Sequence, residues 1–414
     1  MHSIFRFPRY RSHYSRRDNP HRQYIQTVHS VAEMHRMYCH EVAPKKPQSL
    51  DKYRRVFNTE YNIGFKLPCE DTCSVCDGYQ NDPENPAFIL HKRRAQAAYD
   101  MYAQNKAESS QADSNTVVIT MDLEQALPTP HIRTETVFYL RQLWTYNFGV
   151  HVCNNNNGIM CVWGEHHAGR GSEEIVSCLM KVMPLLESYD KEHLIVWSDS
   201  CYGQNKNFSV MCFWQYVLAT TSFKKVTHRF FVPGHSFMAS DSDFALIEKR
   251  KKHETVYTCK QWADVIRRAK VNNPFTVQYM EKEDFLSFAD LTSCFTNRKK
   301  LDNGENFLIS KMTMMEHDVR KPGVINTSYS YSGMADGLMS ISIKKRGRDP
   351  NLRGLNFIGK YPNGRKIKEA KLRDLEKMMP YIPPIYQGFF SNLQGDGSDD
   401  LVEEMDAEDD AHVC

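Results

Sequence analysis

The feature that most constrains the fold is a series of apolar segments between residues 116 and 255. Short β-branched runs bounded by turn residues indicate strands, and longer runs with apolar positions on one face indicate helices. We predict strands over residues 116–121, 146–153, 158–163, 193–197 and 226–232, and helices over residues 171–187, 208–220 and 241–253. This order predicts an α/β fold, in which helices flank a mixed sheet.

Two of these predicted strands deliver an aspartate at their carboxyl end, Asp122 and Asp199. The last helix carries Asp241 and Glu248, which are two turns apart and share a face. If the two strands are neighbours, the acids converge, and a divalent cation such as Mg²⁺ or Mn²⁺ would relieve their repulsion. Such a site supports phosphodiester chemistry. The alternative is that each acid caps a turn or a helix.

The formal net charge of +3 is the result of a cancellation. Nine acids and no Lys or Arg lie between Asp396 and Asp410, so the chain without them carries +12. Residues 341–377 alone contain twelve Lys and Arg against four Asp and Glu. A basic body of this kind favours a polyanionic partner such as nucleic acid. No run of about 18 apolar residues indicates a membrane span, and the first residues lack the apolar core of a secretory signal.

Three cysteines are clustered as C-x3-C-x2-C at Cys69, Cys73 and Cys76. Thiolates at this spacing bind structural Zn²⁺, which takes four ligands. We expect His91 to be the fourth ligand, with Cys39 and His40 as alternatives. The competing interpretation is a loop of free thiols, since a chain without a secretory signal keeps its cysteines reduced.

Four blocks of the sequence resemble a family of transposon-derived, transposase-like proteins found in animals. The blocks are DLEQALPTP (122–130), FYLRQLWTYNFGVH (138–151), WSDSCYGQNKN (197–207) and PGHSFMASDSDFALIEK (233–249). The likeness extends over about residues 5–390, and the WSDxxxGQNKN block is its most specific part.

The resemblance implies a ribonuclease-H-like fold of the DDE type, in which Asp122, Asp199 and Glu248 hold two Mg²⁺ or Mn²⁺ ions with Asp241 beside them. It implies DNA as the partner, at transposon ends and at a target, and an assembly of more than one copy. It also marks His235 as a position of the same segment, and the Cys73 and Cys76 pair as the most regular of the cysteines.

Several cationic or polar residues are candidates for nucleic-acid contacts. Lys and Arg neutralise phosphates, and a cationic group beside a carboxylate cluster suits an enzyme that acts on DNA. The candidates are His235, Gln204, Asn205, Lys206, Lys249, Arg250, Lys252 and Arg346. The alternative for the lysines and arginines is ordinary solvated surface, and for residues 204–206 a turn that starts a helix. Lys344–Arg348 also fits a nuclear localisation signal, so we expect a nuclear protein.

These observations predict four regions. They are a basic helical N-terminal region with the zinc module (1–107), a ribonuclease-H-like catalytic domain (116–330), a basic C-terminal region (331–394) and a disordered acidic tail (395–414). The predicted function is metal-dependent cleavage and strand transfer on transposon DNA. The alternatives are a catalytically inactive, domesticated nucleic-acid-binding protein on the same fold and a metal-dependent nuclease.

Overall fold

The computed structural model describes most of the chain in two compact units, which comprise residues up to Asn85 and residues from Pro86 onward. The described residues are 7, 9–10, 23–25, 30–44, 46–61, 63–65, 73–79, 82–331, 337–346 and 350–397. The acidic tail beyond residue 397 and Cys69 therefore lie outside the described residues.

The first unit combines short strands with helices. Its elements are β1 (Arg9–Tyr10), β2 (Gln23–Ile25), α1 (Val31–Val42), α2 (Leu50–Glu60), β3 (Ile63–Phe65) and α3 (Ser74–Gly78). Serine side chains cap both long helices, because Ser30 accepts from Glu33 N and Ser49 from Lys52 N. Their apolar sides meet in a small core that contains Met34.

The second unit contains a sheet with helices on both faces. Its strands are β4 (Thr116–Leu123), β5 (Leu127–Thr129), β6 (Leu143–Val152), β7 (Asn157–Gly164), β8 (His193–Ser198), β9 (Lys225–Phe230), β10 (Thr276–Tyr279), β11 (Met314–Asp318), β12 (Val324–Ser328) and β13 (Met339–Ser342). Its helices are α4 (Pro86–Ser109), α5 (Glu135–Phe138), α6 (Ser172–Glu187), α7 (Phe208–Thr220), α8 (Ala239–Lys251), α9 (Cys259–Arg267), α10 (Ala289–Ser293), α11 (Glu369–Met378) and α12 (Pro384–Ser391).

The ten-stranded sheet is mixed, with the order β10-β7-β6-β4-β8-β9-β11-β12-β13, and β5 pairs with β6. The strands β4, β6 and β7 form an antiparallel meander, whereas β8 pairs parallel to β4 and β9 pairs parallel to β8. Helix α6 leads from β7 to β8, and α7 leads from β8 to β9. The predicted α/β class with a mixed sheet flanked by helices is therefore confirmed.

Helices cover the two faces of the sheet with separate apolar cores. The larger core joins one face to α6 and α7, through buried side chains such as Val182, Phe213 and Trp214. The smaller core covers the opposite face, where α8 and α9 pack against β7. Its buried side chains include Phe244 and Ile247 of α8, Trp262 of α9, and Met160 and Val162 of β7. The second core holds α8 against the sheet, and the hydrogen bond from Ser240 N to Thr120 Oγ1 fixes the start of the helix at β4, which positions its acidic side chains.

Candidate functional site

Asp122 and Asp199 lie at the carboxyl ends of β4 and β8, two neighbouring strands in the interior of the sheet. In the parallel pair of β4 and β8, Met121 is opposite Ser198, and each aspartate is the next residue. Neighbouring strands are about 4.8 Å apart, so the two carboxylates leave adjacent strands at the same level. The backbone N–H of Leu123 donates to Asp122 Oδ1 (2.8 Å), which fixes the orientation of that carboxylate.

The loop after β8 holds the Asp199 carboxylate with two donors. Asp199 Oδ1 accepts from the backbone N–H of Cys201 (3.1 Å) and from Nδ2 of Asn205 (2.6 Å). Burial raises the pKa of Asp199, and these hydrogen bonds and the nearby Lys206 oppose that rise. Burial in turn lowers the pKa of Lys206 to about 8. Asp199 is therefore a carboxylate in a weakly hydrated setting, which favours neutralisation by a cation.

Asp241 joins this pair from the start of α8. Its Oδ2 accepts from the backbone N–H of Met238 (2.7 Å), and Ser240 N donates to Thr120 Oγ1 (3.1 Å), which ties the start of the helix to β4 two residues before Asp122. Burial, and secondarily the charge of Asp199, raise the pKa of Asp241 to about 6. The charge of Asp199 therefore acts on Asp241, so these two acids lie near each other.

Glu248 lies further along the same helix and belongs to a different set of contacts. Glu248 lies seven residues after Asp241, which is two helical turns or about 10 Å along the axis, so the two side chains share one face of the helix. Lys251 Nζ donates to both of its oxygens, at 2.8 and 2.9 Å. Its charge acts on Glu124 and on His131. Glu248 is therefore grouped with Lys251, Glu124 and His131, and Asp241 is grouped with Asp199.

Glu124 is an acid near Asp122 that was not among the candidate site residues predicted from the sequence. It is buried, it accepts from Nδ2 of Asn147 (2.8 Å), and burial raises its pKa to about 8, with a smaller contribution from Glu248. The signal was present in the sequence, because residues two apart on a strand point to the same face. Glu124 follows Asp122 by two residues and so extends the acidic face of β4.

Asp243, by contrast, is occupied by partners inside the fold. Its Oδ2 lies 2.6 Å from Nδ1 of His151, and its Oδ1 lies 3.8 Å from Nζ of Lys270. All three side chains are largely buried. The carboxylate of Asp243 is therefore taken up by contacts to a histidine and a lysine inside the fold.

A Cys/His group forms a second candidate site. His91 Nε2 and His235 Nε2 are 2.9 Å apart, and His235 is only 3% exposed. One ligand atom from each of Cys73, Cys76, His91 and His235 lies within 4.8 Å of the others, so the group could hold a metal ion. From the sequence, we expect Cys69 as the remaining ligand and a nucleic-acid contact for His235. The structure instead places His235 in the group.

The other residues predicted to contact nucleic acid divide into two kinds. Asn205 and Lys206 are buried, and Lys206 Nζ donates to the carbonyl of Ser310 (2.9 Å), while Gln204 lies half-buried in the same loop. Asn205 and Lys206 therefore stabilise the loop that follows Asp199 through buried hydrogen bonds. The remaining four lie near the surface, where Arg250 pairs with Glu254 and the exposed side chains are Lys249, Lys252 and Arg346.

The comparison with known protein families identifies one similarity. Residues 140–320 match the model of a domain of unknown function, DUF7869. The match includes Asp199, Asp241 and Glu248 and begins after Asp122. No curated protein matches the chain, and no solved structure does. Within the described part of the chain, none of the helices has the length and apolar character that a membrane crossing requires.

Proposed function

We propose that the chain is a metal-dependent enzyme that cleaves and joins DNA strands, a DDE-type transposase or integrase-like protein. One observation carries the proposal: Asp122 and Asp199 follow paired residues of two adjacent parallel strands, and Ser240, which precedes Asp241, is hydrogen-bonded to Thr120 on the first of these strands. The proposed third acid is Asp241, and Glu248 serves in the neighbouring cluster with Glu124 and Lys251.

The strand order supports a ribonuclease-H-like scaffold for this site. In that fold, an antiparallel meander of three strands is followed by two strands parallel to the first, with a helix after each of the last three strands. The order β7-β6-β4-β8-β9, with the helices α6, α7 and α8, is consistent with it. The first acid then lies on β4, the second follows β8 and the third lies on the closing helix. The resemblance to transposase-like proteins predicts the same order of acids.

The residues present fit a hard divalent cation such as Mg²⁺ or Mn²⁺. Carboxylates are oxygen donors of the type that these ions prefer. The pKa of Asp241 is raised to about 6, mainly by burial and in smaller part by the charge of Asp199. Asn205 Oδ1, beside Asp199, is buried without a hydrogen-bond partner in the described part of the chain. When bound, such ions activate the attacking oxygen and stabilise the leaving oxygen at phosphorus.

The chain's own residues would orient the carboxylates and compensate charge. Asn205 and the N–H of Cys201 hold Asp199 in one rotamer, and the N–H of Met238 does the same for Asp241. Lys206, whose pKa burial lowers to about 8, supplies a cationic group close to Asp199. Preorganised carboxylates avoid reorganisation during the reaction, which is the usual source of such a site's efficiency.

The test is nicking of supercoiled plasmid DNA and transfer of a labelled 3′-hydroxyl strand, in Mg²⁺ or Mn²⁺ and in EDTA. We expect Asp199→Asn and Asp241→Asn to lower the nicking rate by about 100-fold or more, because each removes an anionic ligand. Asp264→Asn is the matched control, since that aspartate is exposed and pairs with Arg267 on α9.

Three outcomes interpret the assay. Nicking by Asp199→Asn at the wild-type rate would refute the site. Loss in Glu248→Gln together with full activity in Asp241→Asn would return the role of third acid to Glu248. Nicked DNA without joined strands would reassign the enzyme from strand transfer to a nuclease.

We also propose that the Cys/His group binds Zn²⁺ as a structural ion. Two thiolates and two imidazoles are a common ligand set for structural zinc, and ligand atoms within 4.8 Å of one another fit tetrahedral coordination. The burial of Cys73 and His235 also suits a structural role, because catalytic zinc keeps an open position.

A further inference from the structure

An open groove of about 610 Å³ lies beside the loop that carries Asp199. One wall consists of Tyr202, Gly203 and the first residues of α7, and the other consists of α10 and the segment up to Asn297. Tyr202 follows Asp199 by three residues, so the groove starts close to the proposed carboxylate site. The rest of its lining is uncharged and combines the hydroxyl groups of Ser172, Ser209 and Thr292 with apolar side chains such as Phe208 and Phe295.

Tyr202 is an exposed aromatic side chain on a well-braced loop. It is 63% exposed, although tyrosine rings are normally at least half-covered by apolar neighbours. Asn207 Nδ2 donates to the carbonyls of Tyr202 (3.0 Å) and Gln204 (3.1 Å), and Asn205 N donates to the carbonyl of Cys201 (2.9 Å). The backbone under Tyr202 is therefore fixed, which makes the ring a preformed surface for stacking.

A cationic rim continues from the far wall of this groove. Arg298, Lys299 and Lys300 directly follow Asn297 and are exposed. Lys299 Nζ donates to Asn297 Oδ1 (3.2 Å), which holds its charge at the end of the groove. We call Arg298, Lys299 and Lys300 the cationic rim. Asp302, the acid nearest in sequence to this run, accepts from Ser340 Oγ (2.8 Å).

We propose that the groove binds an unpaired segment of nucleic acid, with a base stacked on Tyr202 and phosphates along the cationic rim. The inference deepens the proposed function, on which it rests, because it makes a single strand next to the scissile phosphate the substrate feature recognised. Aromatic stacking requires a base whose face is accessible, as it is in an unpaired strand. A duplex would use the cations and leave the ring without a partner.

The test is fluorescence anisotropy of a labelled oligothymidylate with the full chain in buffer without added Mg²⁺ or Mn²⁺, so that cleavage does not contribute. We expect Tyr202→Ala to weaken binding about tenfold, the loss typical of one stacked base, and Tyr202→Phe to retain it. Tyr139→Ala is the matched control, because that tyrosine is 77% exposed outside the groove. Unchanged affinity in Tyr202→Ala, or no binding of the oligonucleotide by the wild type, would overturn the proposal.

The salt dependence tests the rim separately. Replacing Lys299 and Lys300 with alanine should reduce the slope of log Kd against log salt by about 1.4, because each phosphate contact on a single strand contributes about 0.7. Arg267→Ala with Arg268→Ala is the control, since α9 packs on the opposite face of the sheet from α7. An equal reduction in the control would refute the rim.

The two proposals fail in distinguishable ways. Oligonucleotide binding that depends on Tyr202, without nicking in any divalent cation, supports the groove and refutes the enzyme. Nicking that depends on Asp199, with affinity for the oligonucleotide independent of Tyr202, supports the enzyme and refutes the groove.

Discussion

At the residue scale, sequence periodicity predicts that Asp241 and Glu248 lie on one face of a helix, but it does not predict which of them lies nearer to Asp199. Asp122 and Asp199 could be predicted to converge because each ends an apolar strand, and parallel neighbours bring such ends together. Asp241 and Glu248 share a helix face, so periodicity alone cannot choose between them. The hydrogen bond from Ser240 N to Thr120 Oγ1 fixes where α8 begins, and that contact depends on tertiary structure.

His235 shows the same limit for the metal group. Cysteine spacing predicted Cys73 and Cys76, because both belong to one short segment, and His91 was selected as the next histidine along the chain. His235 is 144 positions beyond His91 and no local pattern connects them. Only the packing of the segment after β9 against α4 brings the two imidazoles together.

The zinc proposal predicts that His235→Ala lowers the bound metal. Removing one of four ligands leaves an incomplete tetrahedral site, so we expect the zinc content after dialysis to fall from about one equivalent per chain to well below half. The measurement is inductively coupled plasma mass spectrometry. His253→Ala, at an exposed position just after α8, is the control. Wild-type protein without zinc would contradict the proposal, as would a His235→Ala variant with undiminished zinc.

At the element scale, long amphipathic or apolar segments were predictable and short edge strands were not. The prediction of a helix over residues 208–220 agrees with α7, and that over 171–187 agrees with α6 within one residue. In contrast, β5, β10 and β13 are only three or four residues long, which is too short for alternation to identify a strand. Such strands are defined by their partners in the sheet, which a local pattern does not contain.

The close packing of α8 on β6 gives a prediction at this scale. A Cβ at Gly149 would lie 2.6 Å from Cε1 of Phe244 and 3.2 Å from Sδ of Met160, so an alanine there forces α8 away from the sheet. We expect Gly149→Ala to lower the free energy of unfolding by about 1–3 kcal/mol. Because α8 carries Asp241, plasmid nicking should fall as well.

Thermal denaturation and the nicking assay check this prediction. Gly359→Ala is the matched control, because a Cβ at Gly359 meets nothing within 4 Å. An unchanged melting temperature in Gly149→Ala would show that α8 and β6 are not in close contact. A lower melting temperature with full nicking activity would show that the position of α8 does not determine that of Asp241.

At the scale of the whole molecule, charge is the property that sequence composition predicts best. The net charge of +3 combines a basic body with an acidic C-terminal segment. The structure adds that Gly395 to Gly397 belong to the body, because Ile367 bridges to Gly395 and Asp396 N donates to the carbonyl of Ile367 (3.0 Å). A truncation that leaves these contacts intact therefore ends at Gly397.

Truncation after Gly397 should tighten nonspecific binding of DNA. It removes eight acids and no Lys or Arg, so the formal net charge rises from +3 to +11. If the acidic segment competes with DNA for the basic surfaces, its removal should lower Kd at low salt, and the effect should shrink as the Debye length falls to about 8 Å at physiological salt. Anisotropy titrations of a duplex at several salt concentrations measure this. A chain whose eight acids are replaced by Asn and Gln separates charge from length, and unchanged affinity in both variants would reject competition.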